Sequence, residues 1–231
     1  MGRTPRVGAT TARGRIGWST LDGVELTLFT NLLGAIGLGA ASGLNAWIPL
    51  LGLGVAERLG LVTLTAPFDQ LGSNQALVVL SIVFVIDLIG DKVAVIDHVL
   101  HAVGTVIAPA SAAVVLAAQE NLLSQSHPWA AAATGAVIGG SVHLARSAVR
   151  PAVTAGTGGV GNPFASAFED VVSLFVTILA ILVPVLAFGV VLAATVVLWR
   201  RVRRWRRRRA ARVAEAPAPP DPPSFGPRAI P

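Results

Sequence analysis

The chain has 231 residues, of which 53% are hydrophobic and only 13% charged. Soluble domains carry about 25% charged residues, so an ordinary water-soluble globular protein is excluded. A mean hydropathy of +0.69 and apolar stretches near the ~20 residues that cross a bilayer indicate a small multi-pass membrane protein.

The net charge of +6 is a property of the ends. Nine of the 18 basic residues lie between Arg200 and Arg212, and four precede the first apolar segment. Between residues 24 and 198 there are four basic residues against nine acids, so the apolar region is net acidic. No aromatic platform accompanies the Arg run, which argues against nucleic acid. The expected partners are the bilayer itself and anionic lipid headgroups, worth ~1 kcal/mol per charge along Arg200–Arg212; a homo-oligomer is compatible with this composition. The absence of cysteine excludes disulfides, Cys-ligated zinc and thiol catalysis.

In chain order, residues 1–23 read as a disordered basic tail, 24–199 as a helical membrane domain, and 200–231 as a disordered cytoplasmic tail, Arg-rich and then Pro-rich. The apolar map predicts elements at 24–42, 44–58, 75–92, 98–118, 129–148 and 171–199. "ASGLNAWIP" (41–49) breaks the first apolar region at Asn45, so 44–58 is expected to be short or re-entrant. The expected fold is all-α: a polytopic transmembrane bundle of about six segments, four if two are re-entrant, with Gly- or Asn-broken helices. Arg bias at both ends puts both termini in the cytoplasm and the protein in the cell inner membrane.

Three clusters carry charge or loose backbone. In "VIDLIGDKVAVIDHVLHAV" (85–103), one continuous helix would place Asp87, Asp91, His98 and His101 within about 80° of one another. That pattern suits a divalent ion or a proton relay; the alternative is a polar loop, into which Asp97 and His101 fit better than Asp87. In "VHLARSAVRP" (142–151), His143, Arg146 and Arg150 share a face within about 60°. They are expected to balance Glu169 and Asp170, to hold an anion, or to snorkel to headgroups.

The third cluster is "GTGGVGNPFASAFED" (156–170). Its G-x-G-x-x-G lacks the preceding strand and the later acid of a dinucleotide site. Asn162 is suited to an N-cap and Pro163 to the first helical position. Gly158, Gly159 and Gly161 are then irregular backbone, either lining a watery cavity or simply connecting two spans.

"AASGLNAWIPLLGLGVAERLG", "DLIGDKVAVID", "ARSAVRPAVTAGTGGVGNPFASAFEDV" and the Arg-rich tail resemble bacterial membrane proteins grouped as domain of unknown function 4126. The resemblance covers most of residues 34–200 and implies a multi-pass inner-membrane protein without an assigned activity. Asp87-Leu-Ile-Gly-Asp91-Lys92 is also similar to the E-x-G-D-K-[ST] motif of a cation/proton exchanger family, with Asp for Glu, one inserted residue and Val93 for Ser/Thr.

These readings lead to an expected transporter or channel for a small ion, a cation because the core is acidic. No cofactor beyond a bound inorganic ion and no enzymatic activity are expected. Asp87, Asp91, His98, Glu169 and Asp170 are the ion or proton candidates; Asn45 and Asn162 order broken backbone; Arg146 and Arg150 neutralise carboxylate. An accessory membrane protein is the alternative, and a lipid-phosphate enzyme using His143, Arg146 and Arg150 a third.

Overall fold

The computed structural model describes residues 18–90 and 94–214, with side-chain surroundings for 23–90 and 102–208. Among these the chain is helical: α1 (Trp18–Leu44), α2 (Trp47–Arg58), a 3-10 turn (Phe68–Gly72), α3 (Asn74–Gly90), α4 (Ala94–Ala118), α5 (Leu122–Ser126), α6 (Pro128–Thr157), α7 (Asn162–Leu182) and α8 (Pro184–Ala214). The one β-type pairing among them is an isolated bridge between Leu64 and Gln119. Compact packing divides the chain after Val191.

Among the described residues, three helices are long and apolar enough to cross a membrane: Gly23–Leu44, Asn162–Leu182 and Pro184–Arg208. Asn74–Gly90 and Ala102–Ala118 are apolar but shorter. The 12-residue α2 rises only ~18 Å at 1.5 Å per residue, well under the ~30 Å of a bilayer core. Gly60–Thr63, just after it, return to line a cavity with Asn31, Gly34 and Leu38 of α1. The α1–α2 unit is therefore a hairpin whose apex, Asn45-Ala46, is buried among the neighbouring helices.

Close approach of α1, α4 and α6 depends on missing side chains. A Cβ on Gly139 would lie 2.5 Å from the Ala112 Cβ and 3.0 Å from the Ala108 carbonyl oxygen; one on Gly43 would lie 2.5 Å from the Gly139 carbonyl oxygen. These are the small-residue contacts by which membrane helices gain packing without a hydrophobic driving force. Elsewhere capping is local. Asn121 and Ser124 form a capping box at α5, satisfying two otherwise orphaned donors reciprocally.

Three expectations are corrected. The stretch 171–199 is not one segment: Val183 (φ −140°, ψ 70°) separates α7 from α8, because Pro184 disfavours helical backbone in the residue before it. Helix α1 begins at Trp18, inside the expected tail of residues 1–23. The Arg run is not disordered but continues α8 as helix to Ala214. Within the second unit Arg200–Arg208 are exposed, and the Arg203 guanidinium lies 5.1 Å from the Trp199 ring centroid, a cation–π pair.

Candidate functional site

The hairpin apex is the centre of the site. A helix end leaves carbonyls without intrahelical partners, and a buried end needs side chains to satisfy them. Here α4, α6 and α7 each donate a side-chain hydrogen bond to a carbonyl of the break, the Ala41 carbonyl also accepting the Asn45 N–H. Ser173 of α7 donates to the Ala41 carbonyl at 3.0 Å, Arg146 of α6 donates through Nη1 to the Leu44 carbonyl, and Ser111 of α4 donates to the Ala46 carbonyl at 2.6 Å. Asn45 itself starts α2, its Oδ1 accepting from the N–H groups of Trp47 (2.9 Å) and Ile48 (3.2 Å).

With its oxygen engaged in that cap, the Asn45 amide points its two donors outward. They reach Asp87 Oδ2 of α3 at 3.1 Å and Asp170 Oδ1 of α7 at 2.9 Å. One neutral amide thus gathers two carboxylates from helices far apart in sequence. Asn45 and Asp170 are 4% and 8% exposed, while Asp87 is half-buried.

Beside this triad is a cleft with about 90 Å³ of room, lined among others by Ser42, Asn45, Asp87, Gly104, His143 and Arg146. Organic ligands occupy pockets of ~300–1,000 Å³, so this volume suits water or a small ion. Gly104 makes space for the buried His143: a Cβ there would lie 2.9 Å from the imidazole Cε1.

The adjacent acids diverge. Glu169 Oε2 lies 2.8 Å from Arg146 Nε and 2.8 Å from Arg150 Nη2. Neighbouring helical residues point about 100° apart, so Asp170 turns into the bundle toward Asn45 while Glu169 turns to the two arginines. The expected charge balance is present, through Glu169. Glu169 itself, expected as an ion ligand, is engaged in ion pairs.

The glycine-rich turn is not part of the site. Gly158 and Gly159 adopt left-handed backbone (φ 60° and 88°) and end α6, the position where glycine is favoured. Gly158 is exposed, with open space where a side chain would be. Gly161 occupies the N-cap position, and no side chain caps α7. Asn162 is therefore not the N-cap; its Oδ1 accepts from Thr154 Oγ1 at 3.0 Å, tying α7 to the end of α6. Pro163, expected at the first helical position, is the second residue of α7. Of the remaining candidates, Asp91 and Lys92 and the side chains of Asp97, His98 and His101 lie outside the described residues. Among the described residues, no three His, Asp or Glu side chains form a metal-ligand group.

Sequence reasoning missed the buried hydroxyls. Ser42, Ser111, Ser166, Ser173 and Thr177 are all nearly inaccessible. Their signal was available: Ser166, Asp170, Ser173 and Thr177 recur at three- and four-residue spacing, one face of a helix.

The family model for "Domain of unknown function (DUF4126)" matches residues 32–204. The chain belongs to this family. The match begins within α1 and ends in the Arg-rich part of α8, so it takes in the hairpin, Asn45 with its two carboxylates, and both arginines. No curated protein and no solved structure matches the chain.

Proposed function

We propose that this family member is a multi-pass inner-membrane protein that moves a small monovalent cation, and that Asp87, Asn45 and Asp170 form its binding site. The observation that carries the reading is the convergence of two carboxylates on one amide at a buried helix break, beside a cleft of ion size. A charge inside an apolar helix costs a few kcal/mol or more, so a fold that places two there gains something from them. Broken helices supply such sites in transporters, where exposed backbone and helix ends serve as ligands.

Cation selectivity is favoured over anion binding by the state of the arginines. Arg146 is engaged by the Leu44 carbonyl and Glu169, and Arg150 by Glu169. They neutralise and brace the site. The same engagement disfavours a lipid-phosphate enzyme, and the reading includes no catalytic step. The helical Arg run is assigned to the cytoplasmic leaflet, where anionic headgroups hold it. The four arginines ahead of α1 assign the N-terminal end to the same side.

The test is cation flux into liposomes containing the purified protein, read separately for Na⁺, K⁺ and H⁺. Asp87→Asn and Asp170→Asn are expected to abolish flux while the protein stays folded. Undiminished flux in both variants, or none in the wild type for any of the three, sinks the reading in favour of an accessory membrane protein.

A further inference from the structure

A second cavity, of about 340 Å³, lies along α1 on the other side of Leu38 from the carboxylate site; Asn31, Leu38, Thr63, Gln119, Ala180 and Pro184 are among its lining residues. The first cleft touches Ala108 of α4 and the second cavity touches Gln119, just past the end of that helix, about 16 Å apart by helix rise. On α1 they nearly meet. Leu38 lines the second and Ser42 the first, one helical turn or about 6 Å away. Thr27, Asn31, Gly34, Leu38, Ser42 and Asn45 fall within about 80° of one another around α1, so a single face of that helix lines both.

The facing side of α7 continues the polar surface across this turn. Ser166, Asp170, Ser173 and Thr177 are buried there, and Ser173 bonds across to α1. Two buried groups, Thr177 Oγ1 on this face of α7 and Gln119 Nε2 beside the second cavity, have no protein partner among the described residues. Buried polar atoms in native proteins are nearly always satisfied, by protein, water or ligand. Thr177 is 1% exposed and Gln119 8%, and Gln119 lines the second cavity itself. Leu38, the α1 residue of the second cavity nearest the first, is 1% exposed.

We infer that the two cavities are the opposite mouths of one cation route along the α1–α7 seam, closed at Leu38, with Ser173 and Thr177 as its polar rungs and Gln119 marking the second mouth. The inference rests on the cation reading above and adds the path, the gate and the second vestibule. Thr177 and Gln119 are the groups that a passing hydrated cation, or the water around it, would satisfy.

The chain has no cysteine, so single substitutions report accessibility without background. Asn31→Cys and Ser42→Cys, in sealed vesicles of either orientation, are treated from one side with Ag⁺, a thiol-reactive cation small enough to enter the cleft. Asn31→Cys is expected to label from one face only and Ser42→Cys from the opposite face only. Adding Leu38→Ala is expected to let each label from both faces and to raise cation leak several-fold. Thr177→Val, which keeps the shape, is expected to lower flux several-fold without changing the melting temperature. Labelling of both cysteines from the same face, or of neither, overturns the route. If labelling holds while Asp170→Asn transports normally, the route stands and the carboxylate site fails. If labelling fails while Asp170→Asn is inactive, the site stands and the route fails.

Discussion

The Asn45 amide of the α1–α2 break donates to the Asp170 carboxylate of α7 across 2.9 Å, though the two residues are 125 positions apart. The same side chain caps α2 and holds Asp87. A local solution to a helix end therefore fixes the relative positions of α1, α3 and α7.

Asn45→Ala removes all four of these hydrogen bonds and uncovers two carboxylates. Hydrogen bonds to charged groups are worth ~1.5–3 kcal/mol each, so the loss is expected to exceed roughly 3 kcal/mol. A melting curve in mild detergent should drop sharply. Asn45→Asp, which keeps the cap oxygen but adds a third carboxylate, should be no better.

Glu169→Gln leaves two guanidinium groups without their shared carboxylate. Breaking a buried pair by removing one partner costs ~3–5 kcal/mol; the side chains here are 12% and 17% exposed for Arg146 and Glu169, so the lower end is expected. Combining it with Arg150→Met should recover part of the loss, because one of the two charges that Glu169 balances is then gone. A double-mutant cycle of melting temperatures checks this; strict additivity would deny the coupling.

Gly139→Leu inserts a side chain where even a Cβ would stand 2.5 Å from Ala112. Helices α4 and α6 must then separate, and overpacking of this kind costs ~1–3 kcal/mol or more. Loss of folded protein from detergent extracts is expected. Gly156→Ala, where a side chain meets open space, should extract like the wild type.

The charged part of the site was legible because a charge in an apolar helix stands out. Asp87, Arg146, Arg150 and the break at Asn45 could all be marked from sequence, and the small residues around Asn45 announced the hairpin. The partner of each acid was not legible. Glu169 and Asp170 are neighbours in sequence, and only the phase of α7 about its axis decides that one meets arginines and the other Asn45. The hydroxyls were hidden for a different reason. Serine and threonine in apolar helices commonly return a hydrogen bond to the carbonyl four residues back, as Thr27, Thr30 and Ser42 do. Ser111 and Ser173 instead reach carbonyls on another helix, a choice set by packing. The break at Val183 was masked by the apolar run on both sides of Pro184.

The Arg run makes a prediction about orientation. Exchanging Arg200–Arg208 for Gln removes the strongest bias toward the cytoplasm, since Lys and Arg near span ends set topology. A cysteine introduced after the run is expected to be protected from external reagent in wild-type cells and labelled in a measurable fraction of the exchanged protein. Equal protection in both would show that the run does not set orientation.

The most direct measurement of the central claim is a thermal-stability screen of the purified protein against Na⁺, K⁺ and a non-interacting organic cation at matched ionic strength. A ligand at 100 times its dissociation constant stabilises the native state by ~2.7 kcal/mol, enough to move a melting curve. A shift specific to one inorganic cation, lost in both Asp87→Asn and Asp170→Asn, is the expected result. Identical curves in every salt, with both variants as stable as the wild type, would contradict a cation site at Asn45.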